Sequence, residues 1–267
     1  MKRLLTAILF LATIIGAAQS QVLAVDKTDV LKHDKLLVCG IGNPIDTVAI
    51  NSYWRQGYDI NSLGYTKSGW VVAMAQGTDY QDQRLYTSVK WPQEWTEMCL
   101  AEGYYITALG NDIGQWVVVC TKGVPYSRQV IADGTWNASE NVGIRNWIKD
   151  HWRDGYAITS LCYNPESGRW TFIMSKTRAF GAQSYLFADN WQTMEEKIKE
   201  YWAQGYNITD LSMGPGQILC IMSQKHGDIQ YNSGDRALIN TPNFRGLLRD
   251  YWDQGYHVTR VCNGVLD

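Results

Sequence analysis

Apolar positions along this chain alternate between two periods. In segments such as 146–154 and 194–204 they recur at three and four residues, the spacing of a helix with one buried face. The last such segment carries Phe244, Leu247, Leu248, Tyr251 and Trp252 in one stripe. Each segment stops at a glycine, which takes up the left-handed conformation that ends a helix without steric cost. Beyond the glycine the spacing shortens. Tyr-x-Ile-Thr opens a first strand, and a turn such as Asn164-Pro165-Glu166-Ser167-Gly168 or Gly214-Pro215-Gly216 reverses the chain. A second run follows at 70–75, 116–121, 170–175 and 218–223, and its nearly continuous apolar character predicts a strand covered on both faces. A third, more polar strand is predicted around 83–88, 129–132, 183–187 and 230–233, before the next helix.

This order repeats. Gly57-Tyr58-Asp59-Ile60-Asn61, Gly103-Tyr104-Tyr105-Ile106-Thr107, Gly155-Tyr156-Ala157-Ile158-Thr159, Gly205-Tyr206-Asn207-Ile208-Thr209 and Gly255-Tyr256-His257-Val258-Thr259 are versions of one phrase, with glycines 46, 52, 50 and 50 residues apart. A β-β-β-α unit of about fifty residues is being reused, as in solenoids and propellers. The final copy stops after its first strand, at Val261-Cys262-Asn263-Gly264, whereas the segment Leu36-Leu37-Val38-Cys39-Gly40 resembles a second strand. Joining the two would complete a fifth sheet without leaving an edge exposed. The expected fold is α/β, a propeller-like closed ring of five repeats whose termini share a unit and whose closing unit has lost its third strand. An open α/β solenoid is the structural alternative.

The first twenty residues read as an address. Lys2 and Arg3 precede an apolar run at 4–18, and Ala18 and Ser20 stand at the small-residue positions before a cut ahead of Gln21. The run is shorter than the ~20 residues that a membrane span requires. The reading is a signal peptide over 1–20, an N-terminal segment over 21–34 and one repeat domain over 35–267, exported to a periplasm or the cell exterior, with no membrane span after signal removal and expected as a monomer. Lys plus Arg is 24 and Asp plus Glu 26, a net charge of −2 that gives no broad footprint for nucleic acid.

The phrases Trp152-Arg153-Asp154-Gly155-Tyr156-Ala157-Ile158-Thr159 and Trp170-Thr171-Phe172-Ile173-Met174-Ser175-Lys176, with Tyr80-Gln81-Asp82-Gln83 and Tyr126-Ser127-Arg128-Gln129, recur in fixed order. They resemble a repeat domain of unknown function found at the C-terminus of plant casein-kinase-like kinases and in uncharacterised bacterial proteins. The likeness runs over about residues 35–267 and implies no catalytic residues. This sequence has no kinase region. It also departs from the pattern, with Leu100 where Trp54, Trp152, Trp202 and Trp252 stand, and Ile218 where Trp70, Trp116 and Trp170 stand.

Chemistry is sparse. Aromatic residues at repeating positions fill cores more often than they bind sugars, which leaves Trp91, Trp95, Trp136, Trp147 and Trp191 as the better stacking candidates. Six Cys in an exported chain suggest disulfides, but their places on the repeats do not match in pairs, and mostly buried, unpaired thiols are expected. His33, His151, His226 and His257 are scattered, so no metal site is expected. No phosphate-binding loop is present, and no cofactor is expected. The recurring polar and aromatic loop residues are the candidate binding set: Gln83, Gln129, Gln183 and Gln230 at the third strands, Tyr80, Tyr126 and Phe180 three residues before the first three of them, and Lys122 and Lys176 after second strands. A carboxamide has two donors and two acceptor sites, so such a set could hold a hydroxyl-rich or peptide ligand; alternatively, each Gln ties down its own loop. The expected function is a non-catalytic exported module that binds a glycan, peptide or cell-envelope component. The competing reading is an enzyme built on one divergent repeat, either a hydrolase or a pentein-like guanidine-modifying enzyme with Cys262 as nucleophile.

Overall fold

A computed structural model describes residues 22–27, 31–66, 68–112, 114–136, 142–225, 232–238 and 244–264. Two strands come first, β1 (Val22–Lys27) and β2 (Asp34–Val38). The first unit runs α1 (Thr47–Trp54), β3 (Asp59–Thr66), β4 (Gly69–Ala75) and β5 (Asp82–Ser88), and the second α2 (Gln93–Ala101), β6 (Tyr105–Asp112), β7 (Gln115–Lys122) and β8 (Arg128–Gly134). The third is α3 (Val142–Arg153), β9 (Tyr156–Asn164), β10 (Arg169–Lys176) and β11 (Phe180–Ala188). The fourth is α4 (Trp191–Trp202), β12 (Asn207–Gly214), β13 (Gln217–Lys225) and β14 (Asn232–Leu238), and α5 (Phe244–Asp253) with β15 (Tyr256–Val261) ends the chain. The fold is mixed α/β, and every sheet is three-stranded and antiparallel.

Sheet order shows where the third strands go. The sheets are β2-β4-β3, β5-β7-β6, β8-β10-β9, β11-β13-β12 and β14-β1-β15. Each third strand therefore leaves its own unit and pairs with the second strand of the next, so the sheet and the sequence repeat are out of step by one strand. This corrects the reading in which a unit makes its own sheet. It also corrects the closing sheet. The middle strand beside β15 is β1, not the segment around residues 36–40, and β2 takes the third-strand place against β4. No strand has been lost from the closing unit. Cys39 accordingly lies beside the first sheet, its N–H donating to the Trp70 carbonyl at 2.9 Å.

The second strands are the middle strands, which explains their continuous apolar sequence: all seven residues of β4 are buried. Trp70, Trp170 and Phe172 are fully enclosed, each contributing about 2–3 kcal/mol of burial. The helices pack over the sheets as their stripes predict. Ile144 and Ile148 of α3 meet Trp170 and Phe172, and Met194 and Ile198 of α4 meet Ile218 and Cys220. Each helix ends where a left-handed glycine stands. Gly57, with φ of +78°, donates its N–H to Trp54, and the next N–H returns to Tyr53, the double bond that satisfies the last carbonyls of a helix.

The first strands share a further irregularity. Pairing slips by one residue between Ile60 and Ser62, Ile106 and Ala108, Ile158 and Ser160, Ile208 and Asp210, and Val258 and Arg260. The extra residue is always the last of the repeated phrase, Asn61 or the equivalent Thr. A bulge here bends the strand and turns backbone groups away from the ladder. First strands also touch one another across sheets, in the succession β3, β6, β9, β12, β15 and back to β3.

Candidate functional site

The backbone groups at the bulges of β3, β6 and β9 are captured by a side chain from the adjacent sheet. Gln83 Oε1 accepts from the Ile60 N–H at 2.7 Å and from the Trp54 indole N–H at 3.1 Å, while its Nε2 donates to the Ile60 carbonyl at 2.7 Å and to Thr121 Oγ1 at 3.0 Å. Gln183 repeats all four bonds with the Ile158 N–H (2.7 Å), the Trp152 indole (3.1 Å), the Ile158 carbonyl (2.9 Å) and Ser223 Oγ (2.9 Å). Gln129 holds the Ile106 N–H and carbonyl at 2.8 Å each and Ser175 Oγ at 2.9 Å, with Leu100 in the place of the indole. In Gln83 and Gln183 the hydrogen-bonding capacity of the carboxamide is thus used within the protein. The hydroxyls carry the chain one step further, from Thr121 to Thr107 at 2.6 Å, Ser175 to Thr159 at 2.7 Å and Ser223 to Thr209 at 2.7 Å. Each link runs from a bulge in one sheet, through a middle strand, to a bulge in its neighbour. Gln230 lies outside the described residues.

The clasp at the closing sheet uses a residue that sequence reasoning passed over. Asp34 faces Ala75 in the ladder as Gln83 faces Thr121. Its Oδ2 accepts from the Val258 N–H at 2.7 Å and the Trp252 indole at 3.2 Å, and its Oδ1 lies 2.8 Å from His257 Nδ1. An ionised carboxylate only accepts, and the ring nitrogen of His257 supplies the donor. The signal was its position at the start of a third strand; the change from Gln to Asp concealed it.

Residues from all five first strands line a small cavity with room for about one water centre, about 10 Å³, among them Asn61, Ser160, Asp210, Arg260 and Asn263. Asp210 and Arg260 occupy the column filled by Ser62, Ala108 and Ser160 in the other units. Asp210 accepts from the N–H groups of Leu161 at 2.6 Å and Leu211 at 2.8 Å, and its carboxylate lies 4.0 Å from Arg260 Nε. Arg260 donates to the carbonyls of Thr209, of Thr259 at 2.7 Å and of Asn61 at 3.4 Å, so one guanidinium touches β12, β15 and β3. Burial lifts the Asp210 carboxyl to about 6, against Arg260 and the two backbone donors, which pull it down.

Asn263 ties together another level of the same strands. Its Oδ1 accepts from the N–H groups of Tyr65 at 2.9 Å and Asn111 at 3.4 Å, and its Nδ2 donates to Cys162 Sγ at 2.9 Å. Its carbonyl accepts from Ser212 Oγ at 2.8 Å and the Met213 N–H at 2.7 Å. The glycines opposite make room for it: a Cβ on Gly64 would lie 3.0 Å from Asn263 Cα, and one on Gly110 would lie 3.0 Å from Asn263 Oδ1.

The loop residues separate into two groups. Tyr80 and Tyr126 are partly buried, and burial raises both phenols while Arg260 pulls them the other way. Tyr126 also meets Tyr105 edge-on at 6.0 Å. Lys122 and Lys176 lie over the rings of Tyr104 and Tyr156, at 5.4 and 5.7 Å. A cleft of about 800 Å³ opens between the β7–β8 and β10–β11 loops, lined by Pro125, Ser127, Lys176, Thr177, Arg178 and Ala179. Of the candidates, Lys176 lines it, and Tyr126 and Phe180 only adjoin lining residues in the chain. Neither Tyr80, in the preceding unit, nor Lys122, at the end of β7, lines it.

The remaining candidates are occupied by packing. Trp136 is buried, 4.9 Å from Tyr185 and 5.9 Å from Phe172. Trp91 packs edge-on against Trp116 at 5.0 Å, and Trp95 stacks on Tyr86 at 5.2 Å. All six Cys are free thiols, five of them buried. The Cys262 thiol is 1% exposed, and burial pushes it far from the thiolate that a nucleophile needs. Among the described residues no group of three His, Cys, Asp or Glu is placed to hold a metal, and no helix is long and apolar enough to cross a membrane.

A family profile matches the chain twice, over residues 9–146 and 92–266, and describes a domain of unknown function, DUF7477. The two matches overlap, as they would in a chain built from interchangeable units. No curated protein matches the chain.

Removing a clasp should be costly in proportion to what it holds. Gln183→Ala leaves one backbone N–H, one carbonyl and one indole N–H without their partner, and is expected to lower the unfolding free energy by roughly 2–4 kcal/mol. Gln129→Ala, with no indole to strand, is expected to cost about 1 kcal/mol less. Urea unfolding compares them, and equal losses, or a loss below about 0.5 kcal/mol for Gln183→Ala, would contradict the assignment.

The Asp210 carboxyl supplies a pH signature. Its folded value of about 6 exceeds the ordinary 3.8, so the folded protein keeps this proton where the unfolded chain has released it. The associated stability is present below the ordinary value and is lost as pH rises through the folded one. From pH 4 to pH 8, Asp210→Asn should gain on the wild type by on the order of 2 kcal/mol. A difference that does not change with pH would rule this out.

Proposed function

We propose that this chain, which belongs to the DUF7477 family of domains of unknown function, is an exported, non-catalytic binding module built as a closed, propeller-like ring of five sheets. Support for the ring comes from the succession of first-strand contacts that returns from β15 to β3, and from the sharing of one sheet by the chain's two ends through β1 and β15. Support for export is the charged, apolar, small-residue order of the first twenty residues.

The observation that carries the binding reading is the cleft beside Lys176. Its volume, about 800 Å³, falls within the ~300–1,000 Å³ of small-ligand sites. Lys176 and Arg178 are exposed on its wall, and Pro125 and Ala179 add apolar surface to it. The Gln residues build the scaffold that holds these loops, and ligand recognition falls to the loop tips. Glycans, peptides and envelope fragments that combine a polar or acidic group with a flat apolar face suit this lining.

Arrays of glycans, peptides and cell-envelope fragments, probed with the mature chain beginning at Gln21 and with a Lys176→Glu/Arg178→Glu variant, test the reading. The wild type should retain a defined ligand, and the variant should bind it at least about tenfold more weakly, a loss of 1.4 kcal/mol or more, with an unchanged unfolding midpoint. No retained ligand, or equal retention by both proteins, would count against the cleft.

A further inference from the structure

Cys99 and Cys120 are free thiols in this structure; we propose that oxidation joins them in a disulfide that anchors α2 to β7. In the other units the helix position of Cys99 is Tyr53, His151, Tyr201 or Tyr251, whose ring packs on the Tyr of the repeated phrase at 5.7, 5.3, 5.1 and 5.6 Å. The strand position of Cys120 is Met74, Met174 or Met222. Only the second unit changes both partners, and it changes both to Cys. The two thiols are 0% exposed, lie in one apolar cluster and interact with each other as hydrogen-bonding groups.

The same helix has lost its other tie. Leu100, the next residue, replaces the tryptophan whose indole reaches the clasp in α1, α3 and α5, so α2 lacks both the ring and the indole that fasten those helices. A covalent link from the adjacent position restores an anchor. Burial raises the Cys99 thiol, and Cys120 and the Arg84 guanidinium partly offset that rise.

The co-reactant is a disulfide, small or carried by a protein. Cys99 thiolate attacks one sulfur of the donor, forming a mixed disulfide and expelling one donor thiolate. Cys120 thiolate then attacks Cys99 Sγ and expels the second. Two electrons and two protons pass to the donor, which leaves as two thiols. Because both sulfurs are covered in the folded protein, the exchange takes place in the folding chain before α2 seals over β7. The proposal is independent of the export reading, since the oxidant can be supplied directly.

Refolding the reduced chain in a mixture of oxidised and reduced glutathione, alkylating the remaining thiols and mapping the unreduced peptides tests it. The expected result is one link joining the Cys99 and Cys120 peptides, loss of two hydrogens from the intact mass, and alkylation of the other four Cys. Reduction should lower the unfolding midpoint of the wild type and leave that of a Cys99→Ser/Cys120→Ala variant unchanged. Alkylation of all six Cys, or a link from Cys99 to any other Cys, would overturn the proposal.

Discussion

A single carboxamide that satisfies two backbone groups of a neighbouring sheet is the interaction on which the rest of this structure depends. The bulge in each first strand turns an Ile or Val N–H and its carbonyl away from the ladder, and an unpaired buried backbone group costs about as much as a lost hydrogen bond. Gln83, Gln129 and Gln183 remove that cost with both ends of one side chain, and Gln83 and Gln183 collect an indole N–H from the covering helix as well. Because the third strand belongs to one repeat by sequence and to the next by pairing, every such clasp crosses a sheet boundary. Sheets too small to stand alone are thereby fastened to their neighbours by polar bonds as well as by apolar contact.

At the closing sheet the same problem has a different solution. Asp34 cannot donate, so it serves the Val258 N–H and the Trp252 indole and takes a bond from His257, the residue just before Val258. Asn263 performs a related task nearby, its side chain and carbonyl accepting from the backbone N–H groups of Tyr65, Asn111 and Met213 in three other units. In the ring we propose, these two residues join the beginning of the chain to its end. The binding reading we propose rests on this division of labour: Gln83, Gln129 and Gln183 are committed to holding sheets together, whereas Lys176 and Arg178 border a cleft.

Much of this was legible in the order of residues. The helix stripes, the glycine stops and the buried second strands follow from periodicity, because side-chain burial repeats at 3.6 or 2 positions whatever the tertiary arrangement. Residues 70–75, for example, are wholly apolar because β4 is covered on both faces and flanked by β2 and β3. Strand partnership is not periodic. Nothing local distinguishes a third strand that pairs within its unit from one that pairs with the next, and β1 was hidden behind the signal-like segment. The Gln column was visible, but its role depended on the bulge at Asn61 and its equivalents, which exists only once two strands are paired. Asp34 was missed for the same reason, since its equivalence to Gln83 is one of register and not of residue type.

The most direct test is amide hydrogen exchange of Ile60, Ile106, Ile158 and Val258 in the native protein. Their strands are outer strands of their sheets, β3, β6, β9 and β15, and an edge amide open to solvent exchanges by local fraying. If the clasps hold the sheets together, these four amides exchange slowly, with the same opening free energy as the middle-strand amides of Val72 and Val118. Exchange at the rate of exposed edge amides would show that the clasps open independently of the core, and would contradict the account.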